Sequence, residues 1–391
     1  MLNEKTLSDC HLYIKSHFVS PEFLIYNSID IRQAEFKSSP VDNNIFPAGF
    51  NNIGATACKD FSTKLKANFT KNAIKNVILL CEDHTRNTGY LQNVKILFDS
   101  ITNAGANCEI ATLSLEEHTV TIEEISFNVA EIIIKDGRII TKNTPKPDAI
   151  ILNNDLSGVT PENEKLQALI AMEKSGTFIM PAAKMGWNNR KKSSHFIAYK
   201  GIAEQIANAI KFDPWLINAE FTTAQCLDFS NQNELLKLAD SASDLFKKIK
   251  AKYKEYKISS QPAIFLKSES GTYGLGVEKV SDPKDLLNPN RTFRKKILYN
   301  KSKTPNTEFL LQEGVPTMVS KNGATAECTI YSSFGEIFGG FYRIHKDKTT
   351  MDNLNSKGAE FMPLEQEIAQ TPSTLNLIAK LSSIAVGMEN F

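Results

Sequence analysis

The sequence has no excess of charge of either sign: 45 Lys and Arg residues stand against 44 Asp and Glu. No global field therefore draws the chain to nucleic acid or to an anionic membrane, and binding must rest on local sites. Six cysteines (Cys10, Cys58, Cys81, Cys108, Cys226, Cys328) are scattered without a CxxC or a Cys/His ligand spacing. That pattern suggests neither a zinc site nor a disulfide framework and predicts free, mostly buried thiols. Long apolar runs are missing as well; the strongest, such as Val77 to Leu80 and Ile132 to Ile134, have strand length and do not span a bilayer. The first residues, MLNEKTLSDCHLYIKSHF, carry Glu4 and Asp9 and lack the apolar core of a signal peptide, so the expected location is cytoplasmic. No Gly/Ser-rich linker or low-complexity tract marks a domain boundary, and neither a Walker loop nor a strand-GxGxxG-helix fingerprint occurs.

What is present is a chain of 391 residues with 41% hydrophobic residues, enough for two or three packed domains. Lys75 to Ser114 reads as strand, helix, strand: NVILLCEDHTR is an apolar run ending in polar residues, YLQNVKILFDSITNAG has helical spacing with a glycine stop, and CEIATLS follows. The run DAIILNNDLSG ends in the same manner, with Asn153, Asn154 and Asp155 at the carboxyl edge of a parallel strand. Asn233 to Tyr256 has the spacing of an amphipathic helix, a β-rich pattern begins at Pro262, and Thr374 to Met388 predicts a closing helix.

The stretch AIFLKSESGTYGLGVEKV delivers Lys267 on a strand and follows it with Ser270, Gly271, Thr272, Gly274 and Gly276. Glycines let backbone N–H groups approach phosphate oxygens, and a strand-borne ammonium supplies the opposing charge. An ordinary tight turn is the alternative. EDHTRN follows an apolar strand, which places Glu82, His84, Arg86 and Asn87 at the carboxyl edge of a sheet, where α/β proteins bind ligands. Arg86 suits a bidentate carboxylate clamp, and Glu82 can take an amino group. His84 is either a base toward an incoming amine or a hydrogen-bonded structural histidine. PVDNNIFPAGFNN is too polar and too punctuated by Pro and Gly for a core strand, and reads as a rigid loop. Its amides Asn43, Asn44, Asn51 and Asn52, beside Phe46 and Phe50, suit the two charged ends of an amino acid; a run of successive Asn and Gly turns is the alternative. Arg190, Lys191 and Lys192 could be a solvated face, the usual fate of such a run.

The order lysine strand, glycine-rich hairpin, EFLLQEGV, β-hairpin and GGFYRIHKDKTTMDNLNSKGAE resembles the ATP-grasp superfamily. The resemblance implies Lys267 on a phosphate, Gly271 to Gly276 over the triphosphate, and Gln312, Glu313, Gly314 and Val315 at the adenine. It also implies Arg343 and Asn353 at the transferred phosphoryl group, and a second lysine, Lys191 or Lys192, on the nucleotide. A surface ion pair is the plain alternative for Arg343. The RIH…NLNSKGA run is similar to the glutathione synthetase pattern, with Asn355, Lys357 and Gly358 in its turn. Beyond that turn the usual acidic and Glu-x-Asn metal ligands do not follow; Glu327 and Asn353 are the contributors to magnesium that the resemblance implies.

DIRQAEFKSSPVDNNIFPAGFNN, LCEDHTRNTGY, ILNNDLSG and MGWNNRKKSSHF together resemble the proteobacterial type of glutamate-cysteine ligase, over most of the chain. The expectation is an α/β protein: an N-terminal βαβ, pre-ATP-grasp-like substrate region (1–185), then an ATP-grasp-like α+β nucleotide region (186–391). The implied reaction joins L-glutamate to L-cysteine with ATP and Mg²⁺, with Asn154 and the residues above as the site. No nucleic acid or membrane partner is expected, and a homo-oligomer is compatible with the sequence. Rival readings are another ATP-grasp carboxylate-amine ligase, such as a glutathione synthetase, or a non-catalytic nucleotide-binding regulator.

Overall fold

A computed structural model describes residues 2–83, 87–114, 116–122, 125–270, 276–298, 306–364 and 373–389. After helix α1 (Glu4–His17), the chain forms an antiparallel pair, β1 (Asn27–Gln33) and β2 (Ser38–Asn44). Helix α2 (Ala55–Lys71) leads into β3 (Asn76–Cys81), α3 (Thr88–Asn103) and β4 (Asn107–Thr112). This is the βαβ unit read from the sequence, with β3 and β4 parallel. An antiparallel pair, β5 (His118–Ile122) and β6 (Ile125–Ala130), and a ribbon, β7 (Ile133–Lys135) and β8 (Arg138–Ile140), precede β9 (Ala149–Asn153), α4 (Glu164–Lys174) and β10 (Phe178–Met180). The strand order β10-β9-β3-β4-β6-β5 makes a largely parallel sheet. Its central strands are buried on both faces, which is why Val77 to Leu80 and Ala149 to Leu152 read as unbroken apolar runs.

Helix α5 (Lys192–Ile210) and β11 (Phe221–Gln225) lead into the amphipathic helix α6 (Gln232–Glu255). There follow β12 (Ile264–Ser268), β13 (Val277–Val280) and β14 (Glu308–Glu313), which join β11 in an antiparallel sheet of order β11-β14-β12-β13. Leu235, Leu238, Ala242, Leu245 and Ile249 of α6 pack under this sheet on Leu266, Phe309 and Leu311. By strand alternation Phe265, Lys267 and Gln312 face the other way.

The short β15 (Ser320–Lys321), then β16 (Ala324–Ser333), β17 (Glu336–His345) and β18 (Glu360–Pro363) complete the third sheet. Its order is β18-β17-β16-β1-β2, so it draws strands from both sides of the division at residues 185 and 186. One face, with Ile29, Ile31, Cys328, Ile330 and Ile344, lies under α1, α5 and the closing helix Thr374–Met388. The alternate residues, Ser28, Asp30, Arg32, Glu327, Thr329, Tyr331, Phe341 and Arg343, occupy the opposite face. The structure corrects the reading of PVDNNIFPAGFNN as a loop: Ser38–Asn44 is strand β2. The strand survives its proline because β2 is an edge strand and its pairing with β1 shifts register between Asp30 and Ile31, beside Pro40.

The six cysteines are free, four of them buried. Among the described residues no helix is long and apolar enough to cross a membrane.

Candidate active site

The polar face of the β1–β16–β17 sheet carries four buried or nearly buried charges in a chain, Asp30–Arg343–Glu327–Arg32. Arg343 Nη1 donates to Asp30 Oδ2 at 2.9 Å and to Glu327 Oε1, and Arg32 Nε donates to Glu327 Oε2 at 2.9 Å. Arg343 is thus a buried residue, not the surface ion pair that was its alternative reading. Burial pushes the Asp30 carboxyl upward, and Glu327 and Asp42 add to this against the pull of Arg343. For Glu327, burial works upward too, but the two arginines outweigh it and hold the carboxyl below its ordinary range. Arg32 also donates to the carbonyls of Thr350 (3.2 Å) and Asp352 (2.5 Å), tethering the turn that carries Asn353 and Asn355.

A second cationic group comes from the facing sheet. Lys267 Nζ donates to Val41 O at 2.6 Å and to Gln312 Oε1 at 2.7 Å, while Lys192 Nζ reaches Asp42 Oδ1 at 2.8 Å. Burial lowers the Lys267 ammonium to about 8, with Lys192 and Arg32 adding to this and Asp42 opposing it. Asp42 stays ionised, at about 2, because Lys192 and Lys267 outweigh its burial. Arg190, Lys191 and Lys192 do not form the solvated face of the alternative reading. Arg190 is buried against Glu389 at 2.7 Å and Lys192 is nearly buried; only Lys191 lies outside, paired with Glu308.

Asp30, Arg32, Asp42, Lys192, Lys267, Gln312, Glu327 and Arg343 border a cleft of about 670 Å³, counted with the space it opens to solvent, together with Phe265, Val277, Glu313, Val315, Asn353 and Asn355. Glu313 is pinned through Oε2 by Lys37 (2.8 Å), Trp215 Nε1 (3.1 Å) and the Glu220 amide (2.9 Å). Its Oε1 and the neighbouring Gln312 Nε2 are buried with no partner among the described residues. Buried polar atoms in that condition are costly unless a ligand meets them.

A second cleft, of about 1250 Å³ counted with the space it opens to solvent, lies on the carboxyl edge of the parallel sheet. Its polar lining includes Asn44, Asn51, Asn52, Glu82, Asn87, Asp155 and Thr329, and its aromatic lining Phe46, Tyr90, Trp187, Tyr331, Phe341 and Phe361. The two clefts share Asp30, Asp42, Arg343 and Asn355. Asn93 and Asn153 shape its rim: Asn93 Oδ1 accepts the Gly49 and Phe50 amides at 2.9 and 3.1 Å, and Asn93 Nδ2 donates to Asn153 Oδ1 at 3.0 Å. Asn153 Nδ2 in turn donates to Pro47 O at 3.0 Å.

Several residues chosen from the sequence take other places. Phe50 is fully buried among Tyr26, Phe61, Tyr331 and Phe338. Asn154 is turned inward, donating to Cys81 O and accepting from the Leu156 amide, and the buried Asn43 gives its carbonyl to Arg190. The Gly314 amide donates to Ala263 O, the Lys357 carbonyl meets His345 Nε2, and Gly358 packs on that ring with φ +96°. The Ser270 carbonyl accepts from Ser268 Oγ, and Gly276, at φ +68°, holds the Ser268 amide through its own carbonyl. His84, Arg86, Gly271, Thr272 and Gly274 lie outside the described residues. Asp30, Arg32 and Asp42 were not singled out from the sequence, although all three lie in or beside the quoted DIRQ and PVDNN runs. The available signal was charge at alternate positions of a strand.

Glu327 and Asn353, the two expected magnesium ligands, border the same cleft. No group of three His, Cys, Asp or Glu side chains among the described residues is arranged to hold a metal ion. Magnesium usually takes only one or two carboxylates and completes its shell with phosphate oxygens and water; the donors here are all oxygen, and beside the hydrogen bonds from Arg32, Arg343 and the Asn355 amide each keeps a second lone pair, so the residues fit it by chemistry.

No curated protein matches the chain significantly. Among solved structures, a protein from Methylobacillus flagellatus described as a γ-glutamylcysteine synthetase superposes with a TM-score of 0.85 at 30% identity, covering 98% of this chain and 93% of that one. D-alanyl-alanine synthetase A of Vibrio cholerae (TM-score 0.34, 11% identity, 76% and 77% covered) and a glutathione synthetase-like effector of Globodera pallida (0.39, 10%, 91% and 78%) are too distant to carry an argument. The GshA family of glutamate-cysteine ligases matches residues 3–383, nearly the whole length, and the chain belongs to that family.

Proposed function

We propose that the chain joins the γ-carboxylate of L-glutamate to the amine of L-cysteine through a γ-glutamyl phosphate, with ATP in the first cleft and the amino acids in the second. The ligation is the first step of glutathione biosynthesis, the reaction of its family. The observation that carries the two-step reading is the junction: Asp30, Asp42, Arg343 and Asn355 border both clefts, so a phosphoryl donor on one side can meet a carboxylate on the other. A γ-carboxylate oxygen attacks the γ-phosphorus as the bond to ADP breaks. The cysteine amine then attacks the acyl carbon, loses a proton, and phosphate departs.

Phosphoryl transfer is mostly positioning and charge neutralisation. Lys267 and Lys192 supply positive charge on the first side and Arg343 at the junction. Gln312, Glu313 and Val315 offer polar and apolar contacts for adenine, and Gly271, Thr272 and Gly274 stay assigned to the phosphates by their place after the lysine strand. Magnesium, held by Glu327 and Asn353 with the phosphates, would neutralise charge on the transferred group. Arg86, immediately beyond strand β3 with Glu82, is assigned to a substrate carboxylate. The order of lysine strand, hairpin, β14 and the Arg343 and Asn353 elements supports an ATP-grasp-like reading of 186–391, and residues 1–185 bring most of the amides of the amino-acid side.

The test is ADP release measured over pairs of amino acids. Formation that requires both glutamate and cysteine supports the assignment; ADP formation indifferent to either amino acid refutes it.

A further inference from the structure

The Lys192–Asp42 contact of 2.8 Å joins a cation of the first cleft to a carboxylate that borders both clefts. Both ends of that contact are fastened to one guanidinium behind it. Arg190 stands two residues before Lys192, and its Nη1 donates at 2.9 Å to the carbonyl of Asn43, the residue after Asp42. Its Cζ and the Lys192 Nζ lie 5.0 and 4.6 Å from the centre of the same ring, that of Trp187. Helix α5 begins here without a side-chain cap. Its entry is set by these contacts and by Glu269, which accepts the Lys192 and Ser193 amides at 3.0 and 2.9 Å.

Arg190 is buried, borders neither cleft, and carries a charge that must be met inside the protein. Glu389, just past the closing helix, meets it with a bidentate pair: Oε2 accepts from Nε at 2.8 Å and Oε1 from Nη2 at 2.7 Å. Oε1 also meets Nδ1 of His195, in the first turn of α5, at 2.8 Å. Two parallel hydrogen bonds fix the plane of a guanidinium as well as its position.

We propose that Glu389 is a positioning residue for the nucleotide: through Arg190 it sets the places of Lys192 and Asp42, although it lies outside both clefts. This rests on the assignment of Lys192 to the nucleotide in the ligase reading above. With the fork held, Asn43 and the start of α5 keep a fixed separation, and Lys192 meets the phosphates from one place. Without it the buried guanidinium must find other acceptors, and the segments on either side of the Lys192–Asp42 contact move with it.

A double-mutant cycle separates positioning from plain stability. ATP affinity is measured by calorimetry with Mg²⁺ and no amino acid, at neutral pH, on variants shown to be folded. Glu389→Gln, which keeps the shape and loses the charge, should weaken ATP binding about tenfold, and Glu389→Asp, which keeps the charge, should recover part of that loss. In the Lys192→Ala background the same Glu389→Gln change should alter ATP affinity by less than about twofold. Should Glu389→Gln fail to fold, Arg190→Lys takes its place in the cycle with the same expectation. Equal losses with and without Lys192, or unchanged ATP affinity in the folded variant, overturn the positioning role. The ligase reading fails separately: ADP formation indifferent to glutamate or cysteine removes it and leaves the cycle's result on ATP affinity in place. A wild-type protein that does not bind ATP removes both.

Discussion

Arg343 and Asp30 sit on strands separated by β16, and the Arg343 Nη1 to Asp30 Oδ2 contact of 2.9 Å bridges over it on the face that borders both clefts. The guanidinium also engages Glu327, which it shares with Arg32, so one cation holds two carboxylates while facing the junction. Any added negative charge there, such as a phosphoryl group in transfer, meets a cation already held in place.

Arg343→Lys should therefore lower kcat by about a hundredfold with a smaller change in KM, because the charge remains but the planar fork is lost. Steady-state kinetics in ATP and in glutamate separate the two effects. A pure KM effect would reassign Arg343 to ground-state binding. Arg343→Ala is the poorer probe, since Asp30 would lose its charged partner and Glu327 one of its two, and breaking a buried ion pair costs about 3–5 kcal/mol of stability.

The pH dependence of ATP use follows from Lys267. Its ammonium titrates at about 8, so in the free enzyme the cation is present below that pH and is lost as pH rises through it. kcat/KM for ATP, which reports free-enzyme groups, should fall on the alkaline side with an apparent pKa near this value. Lys267→Arg should move that limb far upward, and Lys267→Ala should cripple ATP use at every pH. A wild-type profile flat to pH 10 would overturn the lowered titration of Lys267, and unchanged ATP use in Lys267→Ala would remove it from the phosphates.

Acid stability should depend on Glu389. Burial raises its carboxyl, but Arg190 and His195 hold it at about 2 against an ordinary 4.5. Because the folded value is the lower one, its contribution is complete above about 4.5 and disappears as pH falls toward about 2. The shift corresponds to roughly 3 kcal/mol. Denaturant unfolding of Glu389→Gln should show lower stability at neutral pH and a smaller loss between neutral pH and 3 than the unmodified protein.

Asn93 is buried in α3, yet its effect should appear in substrate binding. Asn93→Leu removes the acceptor of the Gly49 and Phe50 amides and the donor to Asn153, and each group left unpaired costs about 1–3 kcal/mol. Melting temperature should fall, and KM for the amino acids should rise while KM for ATP changes little. Equal effects on all three KM values would mark general unfolding in place of a local change in the rim turn.

The sequence by itself determined those elements whose local pattern and tertiary role agree. Apolar runs buried on both faces announced β3 and β9, helical spacing announced α3, α6 and the closing helix, and the polar residues ending β9 lie where a parallel sheet opens its carboxyl edge. Lys267 and Arg343 were legible because each ends or punctuates a strand next to a distinctive motif. Asp30, Arg32 and Asp42 were not, since a charge at alternate strand positions reads the same whether it faces solvent or a cleft. Only pairing of β1 with β16, some 300 residues apart, set Asp30 opposite Thr329 and within reach of Arg343. Tertiary structure also decided that Phe50 and Asn154 serve the interior and that Arg190 is buried on Glu389. Which face of a strand or turn is covered is a property of its neighbours, and those neighbours are supplied by distant parts of the chain.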